Sequence, residues 1–283
     1  MSDRAGPRLY SIAAHRGFAD ALVAGLVPRY GEPQVGLARL TLLLPSRRAV
    51  RTVTEAFIRH SGAVPGQAGL LLPRMAVVGD LDLDETLGPL LDPLGAGLDI
   101  PPAADPTRRW LRLAAFLREE QGESAPSGPA LLRQAFEIAR TMDRLLVEGI
   151  APEDLLGERV IGVVGEQAAH WQASIRLFAR VRARWLAELD ARGEIDAPQR
   201  RNRLFEAAAK AWQASPPAHP LVAAGVTSAS PALARLLRVV AESPRGAVIL
   251  PDLDLSLDAD IWQSLGTAGA PAPARGPPAA RTG

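Results

Sequence analysis

The 283-residue sequence contains no cysteine. That absence excludes disulfides, thiolate metal sites, cysteine nucleophiles and cysteine-held iron–sulfur clusters. It is compatible with a reducing cytoplasm, the location expected here. Lysine is nearly absent too, Lys210 being the only one. Arg, Ala, Gly and Pro are abundant instead, the composition of a GC-rich genome, so the preference for arginine is discounted as a sign of phosphate recognition. Net charge is +1, which leaves no global field toward nucleic acid or membrane and makes any basic surface local. No apolar run reaches the length of a membrane span, and the opening MSDRAGPRLYSIAAHRGF has no apolar core of a signal peptide. No membrane partner is expected.

What is present is an ordinary globular composition, 47% hydrophobic and 22% charged, whose period changes twice. Residues 8 to about 100 read strand–helix–strand–helix–strand. Leu9 to Ala13 is a short strand, and Phe18 to Val27 a helix with Phe18, Leu22, Val23 and Leu26 on one face. Leu40 to Leu44 is an apolar strand of the kind covered on both faces of a parallel sheet. Arg47 to Arg59 is a helix with the stripe Val50, Val53 and Phe57; Arg51, Glu55 and Arg59 are spaced four apart for mutual ion pairs. Met75 to Val78 is a third strand, and Gly88 to Pro102 a connector.

The second region, from about 105 to 214, is all helix by pattern. Asp105-Pro106 is an N-cap followed by proline. Trp110, Leu111, Ala114 and Leu117 follow at helical spacing, then Leu131, Leu132, Ala135, Ile138, Met142 and Leu145. The longest helix runs from about Glu166 to Ala191 with Trp171, Ile175, Phe178, Val181, Trp185 and Leu189 as its buried face; Phe205, Ala208 and Trp212 mark a shorter one. All five tryptophans are candidate core residues. The third region returns to β/α: strand Leu221 to Val226, a helix begun by Ser230-Pro231, strand Ala247 to Leu250, and the start of a helix at Asp258 to Leu265.

These patterns predict an α/β protein with a parallel sheet and a large all-helical insertion: 1–104 and 217–265 form the α/β domain, 105–216 the insert, and 266–283 a tail. The tail, GTAGAPAPARGPPAARTG, lacks aliphatic anchors, so it is expected either to be disordered or to be an aberrant end where a longer protein should continue.

In an open parallel sheet, ligands meet the loops at the carboxyl ends of the strands. A working phosphate loop needs G-x-x-x-x-G-K-[ST] after a strand. The first loop, Ala14-His15-Arg16-Gly17, has one glycine and no lysine, and the strand ending Gly225-Val226-Thr227 has no acidic pair. Both departures count against ATP hydrolysis. After the second strand, Ser46 can cap the next helix while Arg47 and Arg48 crowd its positive end. A bound phosphate would favour that arrangement; solvated first-turn arginines are the alternative. The runs Asp80 to Glu85 and Asp252-Leu253-Asp254 fail as calcium loops, since Glu85 or Leu257 stands where glycine is needed and Leu91 or Gln263 where glutamate is. His15, His60, His170 and His219 have no metal spacing, His170 is expected on a helix surface, and no G-x-S-x-G elbow is present. No metal site is expected.

The ordered series LTLLLPSRRAVRTVTEAFIR, LLLPRMAVVGDLDLDE, LLVEGIAPEDL, GEQAAHWQASIRLF, IDAPQRRNRLFEAAAKAW and LVAAGVTSASPALARLLRVVAESPRGAVILPDLD resembles the N-terminal part of the AddB family, the double-strand break repair subunits of AddAB helicase–nucleases, in their alphaproteobacterial form. The resemblance spans about residues 8 to 265. It implies a P-loop-NTPase-like, superfamily 1 helicase-like domain, related to UvrD, with a helical subdomain inserted. It puts Ser46, Arg47, Arg48 and Arg51 on a DNA-contacting loop and helix. It makes His15, Arg16, Gly17 and Thr227 the remnant of a degenerate nucleotide site. It implies DNA, single-stranded or as duplex ends, and the AddA helicase subunit as partners. The ATP, magnesium and iron–sulfur cluster of the family fall in parts degenerate or absent here, so no cofactor is expected in this chain. Family members are several times longer and carry a nuclease domain with cluster-binding cysteines, which this sequence lacks. The expected function is a DNA-binding, ATPase-inactive, helicase-like module; a scaffold docking AddA, or a non-functional truncation product, are the alternatives.

Overall fold

The computed structural model describes residues 6–62, 70–79, 99–151, 168–254, 256–258, 260–261 and 263–264, the side chains of 168–170 excepted. The chain is an α/β protein. Among the described residues five strands, β1 (Leu9–Ile12), β2 (Thr41–Leu44), β3 (Arg74–Val77), β4 (Leu221–Ala224) and β5 (Gly246–Pro251), form one sheet in the order β1-β5-β4-β2-β3. Every pairing is parallel. Between the strands run α1 (Phe18–Tyr30), α2 (Arg47–Gly62), α3 (Pro106–Gln121), α4 (Gly128–Glu148), α5 (Ala168–Arg192), α6 (Ala197–Ala214) and α7 (Pro231–Glu242).

Side-chain alternation along the strands divides the core in two. Leu42, Leu44, Val222, Ala224 and Ala247 face Leu22, Val23 and Leu26 of α1 and Val53, Ala56 and Phe57 of α2. Leu43, Ala76, Leu221, Ala223 and Val248 face α6 and α7 through Leu204, Phe205, Ala208, Trp212, Leu233, Leu236 and Val240. Leu42 and Leu43 are both fully buried on opposite faces, which is why β2 reads as an unbroken apolar run. Burying each such leucine contributes about 1.5–3 kcal/mol.

The crossovers explain which helix lies where. The β2–α2–β3 connection steps one way across the sheet and β4–α7–β5 the other. With right-handed connections, α2 and α7 must then lie on opposite faces, as they do. The direction reverses between β2 and β4, which are hydrogen-bonded neighbours with Leu42 opposite Val222.

A third core, of Leu113, Phe116, Leu117, Leu131, Ala135, Met142, Phe178, Val181, Trp185 and Leu189, joins α3, α4 and α5 away from the sheet. By packing, α6 goes with the sheet rather than with this layer, because its stripe of Leu204, Phe205, Ala208 and Trp212 closes the face under α7. Two expected details differ. Leu111 is 54% exposed and Phe116 takes the inner position, because the helix turns its Arg109–Leu113–Phe116 side inward. Arg59 does not join Arg51 and Glu55; it reaches Asp20 of α1 at 2.7 Å, while Arg51 pairs with Glu55 at 3.1 Å.

Both expected N-caps are formed. The Arg108 N–H donates to Asp105 Oδ1 at 2.6 Å, with Pro106 following, and the Leu233 N–H donates to Ser230 Oγ at 3.3 Å. Trp185 and Trp212 are buried, while Trp110 and Trp171 are half-buried. Trp262, the acidic run from Asp80, most of the Gly88–Pro102 connector, the His170 side chain and the tail lie outside the described residues. Among the described residues no helix is long and apolar enough to cross a membrane.

Charged groups bind the helical layer to the start of α6. Asp196, only 3% exposed, accepts from Trp185 Nε1–H at 2.9 Å. Arg109 lies between Asp143, at 2.6 Å from Nη1, and Asp196, at 3.1 Å from Nε. Burial raises the Asp196 carboxyl above its ordinary value, against the lowering pull of Arg109 and the Trp185 hydrogen bond.

Candidate functional site at the carboxyl end of the sheet

The five strands deliver their following loops to one rim, and close packing ties neighbouring loops together. After β2, Pro45 sits between two glycines. A Cβ at Gly79, after β3, would lie 2.2 Å from the Pro45 carbonyl oxygen; one at Gly225, after β4, would lie 3.9 Å from Pro45 Cδ and 3.2 Å from Phe18 Cε1. Gly225 also has φ +72°, a conformation that costs glycine little and other residues more. The loops after β1, β2, β3 and β4 therefore meet around Pro45 and Gly225.

The loop after β5 closes on the loop after β1. The Asp252 N–H continues the β1 ladder to the Ile12 carbonyl at 2.8 Å. Its carboxylate accepts from the Ala14 N–H at 3.2 Å, and the Leu253 N–H donates to Ser11 Oγ at 2.9 Å. Asp252 holds φ +48° to do so, a region Asp enters more readily than most residues. The consequence is chemical. A phosphate loop must offer its amides to an anion, and here a protein carboxylate already takes the Ala14 amide. His15, Arg16 and Gly17 are exposed beside it, and Gly17 precedes α1 without a side-chain cap bond. Thr227 is exposed on the loop after β4.

The α2 terminus has the opposite character. Ser46 Oγ accepts from the Ala49 N–H at 3.2 Å and the Ser46 carbonyl from the Val50 N–H at 3.1 Å, so the cap is built as its residue type predicts. No acidic residue occupies the first turn. Arg47 and Arg48 are exposed and form no ion pair among the described residues. Arg51 is one turn further on and is engaged by Glu55. The helix dipole and two guanidiniums without an ion pair among the described residues thus add at one place, beside the crevice where the chain direction reverses between β2 and β4. In open parallel sheets that crevice is where ligands bind.

The acidic residues after β5 are used locally. Asp254 Oδ1 accepts from the Ser256 N–H at 3.0 Å and from its hydroxyl at 2.5 Å, which lowers the exposed Asp254 carboxyl below its usual value. Among the described residues no group of three or more His, Asp or Glu side chains could hold a metal ion. Sequence reasoning missed Asp252 as the occupant of the first loop and missed the Pro45–Gly79–Gly225 contact. The second had a signal: an isolated glycine directly after each of two apolar strands marks close backbone approach.

No protein-family model and no curated protein matches the chain. Fold and rim geometry together define the class: an α/β protein with a five-stranded, all-parallel sheet and a basic helix terminus at its topological switch point.

Proposed function

We propose that the chain is a DNA-binding, helicase-like module of a double-strand break repair complex, with a P-loop-like sheet and a degenerate nucleotide site. One observation carries the reading: Ser46, Arg47 and Arg48 open α2 at the switch point of the parallel sheet, with no acid in the first turn to neutralise them. Backbone amides, dipole and arginines there suit a phosphodiester. The carboxylate of Asp252 on the Ala14 amide supports the silent nucleotide site, as does the lack of a phosphate-loop lysine near Gly17. The resemblance to the AddB family supplies the biological setting: a cytoplasmic complex in which an AddA-type subunit drives ATP-dependent unwinding and this module holds DNA.

The test is fluorescence anisotropy of a labelled single-stranded oligonucleotide at several salt concentrations, with wild type and with Arg47→Gln/Arg48→Gln. Each phosphate contact on single strands contributes about 0.7 to the slope of log affinity against log salt. The double variant should therefore bind more weakly and flatten the slope by about 1.4. An unchanged slope in a variant with wild-type circular dichroism would remove these arginines from the DNA contact.

A further inference from the structure

The opposite, amino-terminal end of the sheet carries a second concentration of positive charge. A pocket of about 400 Å³ is lined by Arg8, Arg29, Tyr30, Pro220, Pro244 and Arg245. Three of these six residues are arginines, and none forms an ion pair among the described residues. Their guanidiniums are positioned instead by neutral groups. Arg8 donates to the Pro244 carbonyl, Arg245 Nη1 donates to the Ala218 carbonyl at 2.9 Å, and Arg29 stacks 5.2 Å from the Tyr10 ring centre. Two carboxylates close by in the chain are taken by other arginines: Glu32 by Arg39 at 3.2 Å and Glu242 by Arg238 at 3.0 Å. Burial raises the Tyr30 phenol above its ordinary value, outweighing the lowering effect of Arg29. It therefore keeps its proton at neutral pH and offers an O–H donor.

Three cations with no ion-pair partner among the described residues around one cavity repel one another, and an anion with several acceptor oxygens relieves that repulsion. The planar fork of arginine fits phosphate oxygens in pairs. The volume falls in the range of about 300–1,000 Å³ typical of ligand pockets, which leaves room for an organic body beside the anionic group. We propose that this pocket binds a terminal phosphate group, carried either by a small phosphorylated molecule or by the end of a nucleic-acid strand. The site is separate from the α2 terminus and does not depend on the DNA reading above.

Inorganic phosphate titrated into the full chain at constant ionic strength, with chloride as the balancing anion, tests it by calorimetry. Saturable binding to wild type is expected. Arg29→Gln/Arg245→Gln should weaken it at least about tenfold, the factor expected for loss of a charge-assisted contact. Arg118→Gln, which removes an exposed charge from α3, should leave it unchanged. Arg29→Gln alone, at an exposed residue whose side chain makes no hydrogen bond among the described residues, gives the same reading if the double variant folds poorly. Matched oligonucleotides with and without a 5′-phosphate separate the two sources. A preference for the phosphorylated strand that the double variant abolishes assigns a strand end; equal binding of the two strands, with inorganic phosphate still bound, assigns a small molecule. No response to phosphate beyond that to chloride, or equal loss in Arg118→Gln and the double variant, overturns the proposal.

Discussion

Replacing Asp196 by alanine removes the one carboxylate that touches both the buried indole of Trp185 and the inner edge of Arg109. Trp185 is fully buried, and its N–H would lose a 2.9 Å acceptor. An unsatisfied buried donor costs about 1–3 kcal/mol. Arg109 would keep Asp143 at 2.6 Å, so the roughly 3–5 kcal/mol of a fully broken buried ion pair is not reached. Removing a carboxylate that is itself poorly solvated returns part of the loss. The expected cost of Asp196→Ala is about 2 kcal/mol. Asp196→Asn keeps a carbonyl oxygen for Trp185 without the charge and should cost under about 1 kcal/mol. Urea unfolding midpoints with the slope held constant measure both. Equal costs for the two variants would refute the argument, since they would show that the Trp185 hydrogen bond is not what Asp196 contributes. The pH dependence has a definite sign. The folded carboxyl is raised by burial, so the folded chain holds that proton more tightly than the unfolded one. Its contribution is complete below the unfolded carboxyl value and is lost as pH rises through the raised folded value. Wild type should therefore gain stability relative to Asp196→Asn as pH falls from neutrality through that window.

Two further outcomes follow from the rim and its supports. Gly79→Ala puts a Cβ 2.2 Å from the Pro45 carbonyl oxygen, a backbone contact that cannot yield as a flexible side chain would. A lowered melting temperature and weakened oligonucleotide binding are expected together; wild-type values of both would show that the loops after β2 and β3 do not constrain each other. Ser230→Ala removes the acceptor of the Leu233 N–H and should cost about 1 kcal/mol in denaturant unfolding, with Ser230→Thr restoring most of it.

Much of the fold was legible because periodicity and caps are local. Leu42, Leu43 and Leu44 announce a strand covered on both faces, and Asp105-Pro106 and Ser230-Pro231 announce two helix starts that the backbone then makes. The strand order was not legible. Nothing in Leu9–Ile12 says that it lies at the edge beside β5, because partner choice depends on crossover direction and on which helices fill each face. Leu111 misled because it has the spacing of a buried residue, and only the packing of α4 and α5 selects Phe116 in its place.

The candidate site divides in the same way. Residue types alone determined that Ser46 could cap a helix, that Arg47 and Arg48 would follow it, and that the first loop lacks the lysine and glycines of a phosphate cradle. Those are properties of a few adjacent residues. The tertiary structure decided that the α2 terminus stands at the reversal between β2 and β4. It also decided that Asp252 occupies the Ala14 amide, and that Arg8, Arg29 and Arg245 share one pocket. The α2 terminus owes its place to the pairing of β2 with β4, whereas the Asp252 contact and the arginine pocket join segments more than two hundred residues apart in the chain, brought together by parallel pairing of β1 with β5. Local sequence pattern carries no record of that pairing.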